Sequence, residues 1–127
     1  MKCLSLMQPY AELVVSGRKR IELRRWNTRF RGKFYIHASK KLDAKACKRV
    51  GIDPKSLAYG CIIGTAVIHG VKVYESRKEF MGDSQLHLAN YGEYGSSKYG
   101  FILIDASRAK IPIAFKGRLG LFEAGMV

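Results

Sequence analysis

The stretch that decides the fold is KRIELRRW, residues 19–26. Its side chains alternate, so that Ile21 and Leu23 fall on one face while Glu22 and Arg24 fall on the other. Alternation of apolar and polar residues predicts a half-buried β-strand. We therefore expect Ile21 and Leu23 to face the core and the charged residues to face away from it.

Short segments punctuated by glycine surround this strand. Further strands are predicted over residues 2–6, 33–38, 59–74 (bent at Gly64 or Gly70), 99–105, and in a closing hairpin of 110–115 and 118–123 through Lys116-Gly117. Short helices are predicted over residues 9–16, 42–50 and within 76–90, where Ser76 and Asp83 are candidate caps. Strands dominate and do not alternate regularly with helices, which disfavours a doubly wound α/β sheet. The sequence predicts one α+β, mainly β domain over residues 1–127, a small six-stranded barrel with two to three short flanking helices.

The charge balance points to a polyanionic partner. Lys and Arg number 23 against 10 Asp and Glu, a formal net charge of +13. Nucleic acid is the commonest polyanion inside a cell, and an anionic membrane surface is the next. No long basic amphipathic helix is present, which disfavours membrane binding. The remaining alternative is a basic protein whose lysines only aid solubility.

The strongest cluster of charge spans residues 18–33. It holds eight basic residues, opposed only by Glu22, with Trp26, Phe30 and Tyr35 interleaved. Arginine binds phosphate in a bidentate way, and aromatic faces stack on exposed bases. This combination favours single-stranded or loop RNA over DNA, although a solvated edge strand would also carry such charge. The predicted nucleic-acid-binding residues are Arg18, Arg20, Arg25, Trp26, Arg29, Arg31, Lys33, Lys116 and Arg118. Glu22 would either pair with Arg20 or Arg24, or accept a proton from a base.

The sequence contains no pattern that indicates a metal site, a cofactor or a signal for export. Cys3, Cys47 and Cys61 form no C-x-x-C pair and are expected to be buried thiols, and the three histidines have no metal-ligand spacing. No apolar run approaches a membrane span, and the first ten residues lack the features of a signal peptide. A cytoplasmic protein without cofactor is therefore expected.

Several motifs together resemble one family. They are LSLMQPY (residues 4–10), GRKRIELR (17–24), RGKFYIHASK (31–40), YGCIIG (59–64), YGF (99–101) and KGRLGLF (116–122). In this order they resemble the ASCH domain, a branch of the PUA-like superfamily. The resemblance implies a six-stranded barrel with a cleft between barrel and helices, and roles in RNA binding, processing or coactivation. It places Ser5, Gln8, Lys19, Glu22 and Arg24 in the cleft, with residues 37–40 nearby.

The resemblance is also compatible with an enzymatic function. Some relatives are amidohydrolases of acylated cytidine that use Lys, Thr and Glu, but the position of the Thr holds Glu22 here. Others are reported as ribonucleases relying on Lys, Tyr and Ser, and Lys40, Ser39 and Tyr35 lie close in this sequence. The candidate catalytic residues are Lys19, Glu22, His37, Ser39 and Lys40. We expect a non-catalytic RNA-binding protein, monomeric or weakly dimeric; the alternative is a metal-independent ribonuclease or nucleoside-modifying hydrolase in the same cleft.

Overall fold

The structure is a computed structural model that describes residues 1–125, apart from the side chain of Tyr91. The last two positions of the predicted 1–127 domain thus lie outside the described residues. The strands are β1 (Lys2–Gln8), β2 (Ile21–Arg24), β3 (Gly32–Leu42), β4 (Cys61–Val73), β5 (Tyr99–Ala114) and β6 (Leu121–Glu123). The helices are α1 (Tyr10–Val15), α2 (Ala44–Val50), α3 (Arg77–Gly82) and α4 (Ser84–His87), with 3-10 turns at Pro54–Ser56 and Tyr91–Glu93.

The six strands form one sheet in the order β2-β5-β4-β3-β1-β6. All neighbouring pairs are antiparallel except β1 and β3, which run parallel with Ser5 opposite His37. Within residues 1–125 no ladder joins β2 to β6, so the sheet is not closed into a barrel. The predicted barrel is therefore wrong, because two very short strands of 4 and 3 residues end the sheet at its two edges. The α+β, mainly β class with short helices is confirmed.

The predicted closing hairpin is also wrong. Strand β5 runs unbroken for 16 residues and absorbs most of the segment 110–115. Strand β4, with 13 residues, pairs with β5 over residues 99–104, at 107–108 and again at 113–114, with three register shifts along the pair. The chain then crosses to the far edge of the sheet, where β6 pairs with β1.

Helix α1 packs on the sheet through a glycine. A Cβ atom on Gly64 would lie 2.4 Å from Cγ2 of Val15 and 2.2 Å from the carbonyl oxygen of Ser107, so a side chain there would push the helix away. Ile21 and Leu23 are buried, as predicted, in a small hydrophobic cluster with Tyr74 and Phe80. This cluster is separate from the larger core around Phe34 and Ile36. Strand β2 is thereby fixed with Glu22 on the side opposite this cluster.

Polar side chains begin two of the helices. Asp43 accepts a hydrogen bond from the backbone N–H of Ala46 at the start of α2, and Ser76 caps α3 as predicted. Asp83 precedes α4 but makes no cap bond; its carboxylate accepts hydrogen bonds from Lys72 and from the hydroxyl of Tyr74 instead. Segment 76–90 is thereby attached to the end of β4.

The three cysteines are buried and unpaired, as predicted. Burial raises the pKa of the Cys3 thiol to about 12. Within residues 1–125, no three His, Cys, Asp or Glu side chains gather where they could hold a metal ion. No helix in that range is long and apolar enough to cross a membrane.

Candidate functional site

A cleft of about 1180 Å³ opens where the end of β2 faces β1 and β3. Residues 5–7 with His37 and residues 39–41 form one wall, residues 22–26 form another, and the segment 115–120 forms a third. Glu93 and Ser97 reach it from the segment that follows α4. The cleft therefore collects side chains from distant parts of the sequence.

A buried charge cluster forms the floor of this cleft. The Glu22 carboxylate lies 3.0 Å from Nε of Arg24 and 3.7 Å from Nζ of Lys19. Lys19 is 3% exposed, and its ammonium also donates a hydrogen bond to the backbone oxygen of His87. Burial lowers the pKa of Lys19, whereas the Glu22 carboxylate acts to raise it. The predicted pairing of Glu22 with Arg24 is present, whereas the described residues show no ion pair between Glu22 and Arg20. Acceptance of a proton from a base stays a prediction.

Glu93 adds a second carboxylate that the sequence did not reveal. It is half-buried and faces the cleft from the turn Tyr91–Glu93. Burial raises the pKa of its carboxyl group; Lys19 acts to lower it and Glu22 to raise it. Among the described side chains, none donates a hydrogen bond to this carboxylate. A single acidic residue in an aperiodic, glycine-containing segment carries no pattern that could have singled it out.

Exposed cations surround the mouth of the cleft. We call them the rim cations: Arg25, Lys40, Lys41, Lys116 and Arg118. No carboxylate of residues 1–125 lies within salt-bridge distance of any of them, in contrast to Lys19 and Arg24 on the floor. The cleft thus has a floor whose two cations share the Glu22 carboxylate, and a positive mouth whose cations have no carboxylate partner among residues 1–125.

A hydroxyl and an imidazole meet on the wall formed by β1 and β3. Ser5 Oγ lies 2.9 Å from Nδ1 of His37, whose Nε2 lies 2.6 Å from the backbone oxygen of Phe115. A carbonyl oxygen can only accept, so Nε2 carries a proton, and in the neutral ring Nδ1 accepts the proton of the Ser5 hydroxyl. This chain of hydrogen bonds fastens the start of the segment 115–120 over the cleft.

The predicted catalytic candidates all line the cleft: Lys19, Glu22, His37, Ser39 and Lys40. Ser39 and Lys40 belong to β3 rather than to a turn after it, because that strand continues to Leu42. His37 is only 2% exposed, with both ring nitrogens engaged. Reacting groups could therefore reach its imidazole only through Ser5.

The predicted ligand-binding residues divide between the cleft and other places. Ser5, Lys19, Glu22 and Arg24 line the cleft. Gln8 does not; it is fully buried, where its amide donates to the backbone oxygen of Ala58 and accepts from the N–H of Glu12. Gln8 therefore connects β1, α1 and the segment before β4.

The predicted nucleic-acid-binding residues divide in the same way. Arg25, Trp26, Lys116 and Arg118 line the cleft, whereas the others lie on the surface outside it: Arg18, Arg20, Arg29, Arg31 and Lys33. Arg18 and Arg31 donate hydrogen bonds to backbone oxygens. Sequence reasoning missed Tyr10, Lys41, Asp43 and Phe115, all of which line the cleft.

Solved structures similar to this one include ASCH proteins from Zymomonas mobilis. The ASCH protein of that organism superposes with a TM-score of 0.65 at 18% identity, over 88% of this chain and 71% of that chain. A serine-to-alanine variant gives 0.63 at 21% identity (88% and 72%), and a tyrosine-to-phenylalanine variant gives 0.62 at 18% (88% and 73%). These identities show a shared fold alone.

Among curated proteins, none matches this chain. The family model of the ASCH domain matches residues 4–109, which include the whole floor of the cleft and most of the sheet. The chain therefore belongs to the ASCH domain family.

Proposed function

We propose that this protein binds single-stranded or structured RNA in the cleft, in preference to DNA. ASCH domains are generally thought to bind RNA. The net charge of +13 supplies long-range attraction for any nucleic acid, and the cleft supplies a place where a strand can be held.

The observation that carries this proposal is the absence of carboxylate partners around the rim cations within residues 1–125. An exposed cation without a partner is free to contact phosphate and release counterions. The cations of the floor, by contrast, are paired with Glu22, and the carboxylate of Glu93 faces the same cleft. Phosphates would therefore lie at the mouth, and a base or ribose would lie deeper, where hydrogen-bonding groups can read it.

The polar groups inside the cleft support the preference for RNA. Protein recognition of RNA sequence targets unpaired nucleotides whose bases are splayed into pockets, and the 2′-hydroxyl distinguishes RNA from DNA. The carboxylates of Glu22 and Glu93 could each accept a hydrogen bond from a base or from a ribose hydroxyl.

The direct test measures the affinity for a labelled RNA strand across a range of salt concentrations. Each phosphate contact contributes about −0.7 to the slope of log affinity against log salt for a single strand. The double variant Lys116→Ala and Arg118→Ala should therefore bind more weakly, with a slope less steep by about 1.4. The matched control is Lys45→Ala with Lys78→Ala, which removes equal charge at exposed positions outside the cleft.

Two results would contradict the proposal. Equal losses for the cleft pair and the control pair would mean that the whole basic surface binds without a site. Equal affinity for DNA of the same sequence would contradict the preference for RNA. The pair Arg29→Ala and Arg31→Ala tests the rest of the predicted basic stretch, and a flatter slope there would extend the interface beyond the cleft.

The second candidate, a metal-independent ribonuclease or nucleoside-modifying hydrolase, is favoured by one observation. The Ser5 hydroxyl already donates to an imidazole nitrogen inside the cleft, and His37 could take that proton as a general base. Incubation of labelled RNA with pure protein, scored for both retention and cleavage, tests it. Loss of cleavage in Ser5→Ala would support the hydrolase, and retention without cleavage would support binding alone.

A further inference from the structure

A second cavity of about 560 Å³ lies beside the cleft, and we call it the side pocket. Its lining comes from Lys2, from Trp26, Thr28 and Phe30, and from residues 119–121. Trp26, Leu119 and Gly120 line both cavities, so the side pocket and the cleft are adjacent and share these residues as walls. Its volume falls within the range of about 300–1000 Å³ that is typical of sites for small ligands.

The walls of the side pocket are aromatic and held by the core. Trp26 packs against Phe101 in an edge contact, with ring centroids 5.3 Å apart. Phe30 packs against the core cluster that contains Phe34 and Phe101. Leu119 also lines the side pocket and is 98% exposed. A leucine in full contact with water beside an aromatic wall is a surface that gains free energy when a flat apolar ligand covers it.

Charge is placed where the two cavities meet. Each large apolar residue that lines both cavities directly follows an arginine of the rim: Trp26 follows Arg25, and Leu119 follows Arg118. Both arginines line the cleft and not the side pocket, so a ligand that spans the two cavities would have them on its cleft side. An anionic link that joins two flat groups fits this arrangement.

We propose that the side pocket binds a second nucleobase, stacked on Trp26, from the nucleotide next to the one held in the cleft. This inference rests on the proposed function and makes it narrower, because the smallest complete ligand becomes a dinucleotide with both bases unstacked from one another. The phosphate between the two nucleosides lies at the boundary, beside Arg25 and Arg118. Aromatic stacking tolerates any base, so the side pocket adds affinity without strong sequence preference.

The experiment compares three ligands with the wild-type protein: a nucleoside 5′-monophosphate, the corresponding RNA dinucleotide, and the same dinucleotide with an abasic second position. The complete dinucleotide should bind about tenfold tighter or more than the abasic one, which is the scale of one base–aromatic stack. Trp26 is the only tryptophan of the chain, so its fluorescence reports on the pocket directly. The complete dinucleotide should quench it further than saturating abasic ligand does.

Two variants test which residues provide the extra affinity for the complete dinucleotide. Trp26→Leu keeps apolar volume against Phe101 but removes the stacking face, and should abolish the difference between the two dinucleotides. Leu119→Ala should reduce that difference without affecting folding, because the side chain packs on nothing in the core. Ile111→Ala, at an aliphatic residue 77% exposed and outside both cavities, should leave it unchanged.

The outcomes separate this inference from the proposed function. Equal affinity and equal quenching for complete and abasic dinucleotides, with RNA still bound, would overturn the side pocket as a base site and leave the cleft in place. Failure of every RNA ligand to bind would overturn both. If Trp26→Leu does not fold, the wild-type ligand series and Leu119→Ala decide the question.

Discussion

Gly117 lies directly against the Ser5–His37 pair: a Cβ atom on Gly117 would stand 2.4 Å from Ser5 Oγ and 2.7 Å from Cε1 of His37. The contact brings the backbone of the segment 115–120 down onto the wall of the cleft. Glycine is required here by space rather than by backbone angle, because any side chain would separate the segment from the two strands.

Gly117→Ala should therefore destabilise the protein and open the cleft. Forcing a methyl group into a packed site costs about 1–3 kcal/mol, and thermal or urea unfolding will measure the loss. Gly82→Ala is the matched control, since a Cβ there meets nothing within 4 Å. An alanine at position 117 that unfolds like the wild type would show that the segment moves away at no cost.

Glu22→Gln should lower stability and change base preference together. The substitution leaves the buried Lys19 ammonium without a carboxylate at salt-bridge distance, and breaking a buried ion pair costs at most about 3–5 kcal/mol. Affinity for phosphate should stay the same or rise slightly, because negative charge is removed from the cleft. Stability is measured by unfolding, and preference by competition among four homopolymeric RNAs.

Glu12→Gln provides the comparison for Glu22. The Glu12–Arg108 pair is 25% and 53% exposed, and surface pairs are worth about 0–1 kcal/mol. A Glu22→Gln protein that matches it in stability and keeps the wild-type preference would reduce Glu22 to an ordinary ion-pair partner.

Stability should fall as the pH drops below the ordinary pKa of histidine, because of His87. The ring donates from Nε2 to the backbone oxygen of Phe80, and Nδ1 accepts from the N–H of Ala89, an arrangement that only the neutral form allows. Burial lowers the pKa of His87 from its usual 6.5. The unfolded chain thus takes up a proton near pH 6.5 while the folded protein does not, and stability declines below that pH by up to about 1.4 kcal/mol per unit.

Urea unfolding at pH 7.5 and 5.5 measures this dependence. His87→Gln should reduce the difference between the two values, whereas His69→Gln, at an exposed histidine, should preserve it. If the stability of the wild type, His87→Gln and His69→Gln depends on pH to the same extent, groups other than His87 cause the effect.

The protein should retain RNA without cleaving it, in the presence or absence of EDTA. Lys40→Ala should weaken retention modestly, since it removes one rim cation, and Lys45→Ala should not. A gel of end-labelled RNA shows both quantities at once. Cleavage that survives EDTA, spares DNA and falls about a hundredfold in Lys40→Ala would establish the ribonuclease instead. Cleavage abolished by EDTA would contradict both candidates and indicate a contaminating nuclease.

Local pattern was enough to orient the strand that carries the site. The alternation around Glu22 placed Ile21 and Leu23 toward the core, and it placed Glu22 beside Arg24. Both relations join residues one or two positions apart, where the pleat of a strand determines which side chains share a face.

Relations between distant segments could not be obtained in this way. Lys116-Gly117 has the local character of a hairpin turn, but whether the next strand pairs with β5 or with β1 depends on which sheet edge is open. Glu93 reaches the cleft only because segment 76–90 folds against the end of β4. The placement of Gln8 depends in the same way on Ala58, 50 residues further along the chain.

The pairing of Lys2 with Glu123 has a consequence for biosynthesis. Strand β1 leaves the ribosome more than a hundred residues before its outer neighbour β6, and its inner neighbour β3 must pair with it in parallel. Pairings so remote in sequence are slow to form. During translation β1 therefore keeps an unpaired edge, and the nascent chain at that stage is the form most exposed to misassociation with its neighbours on a polysome.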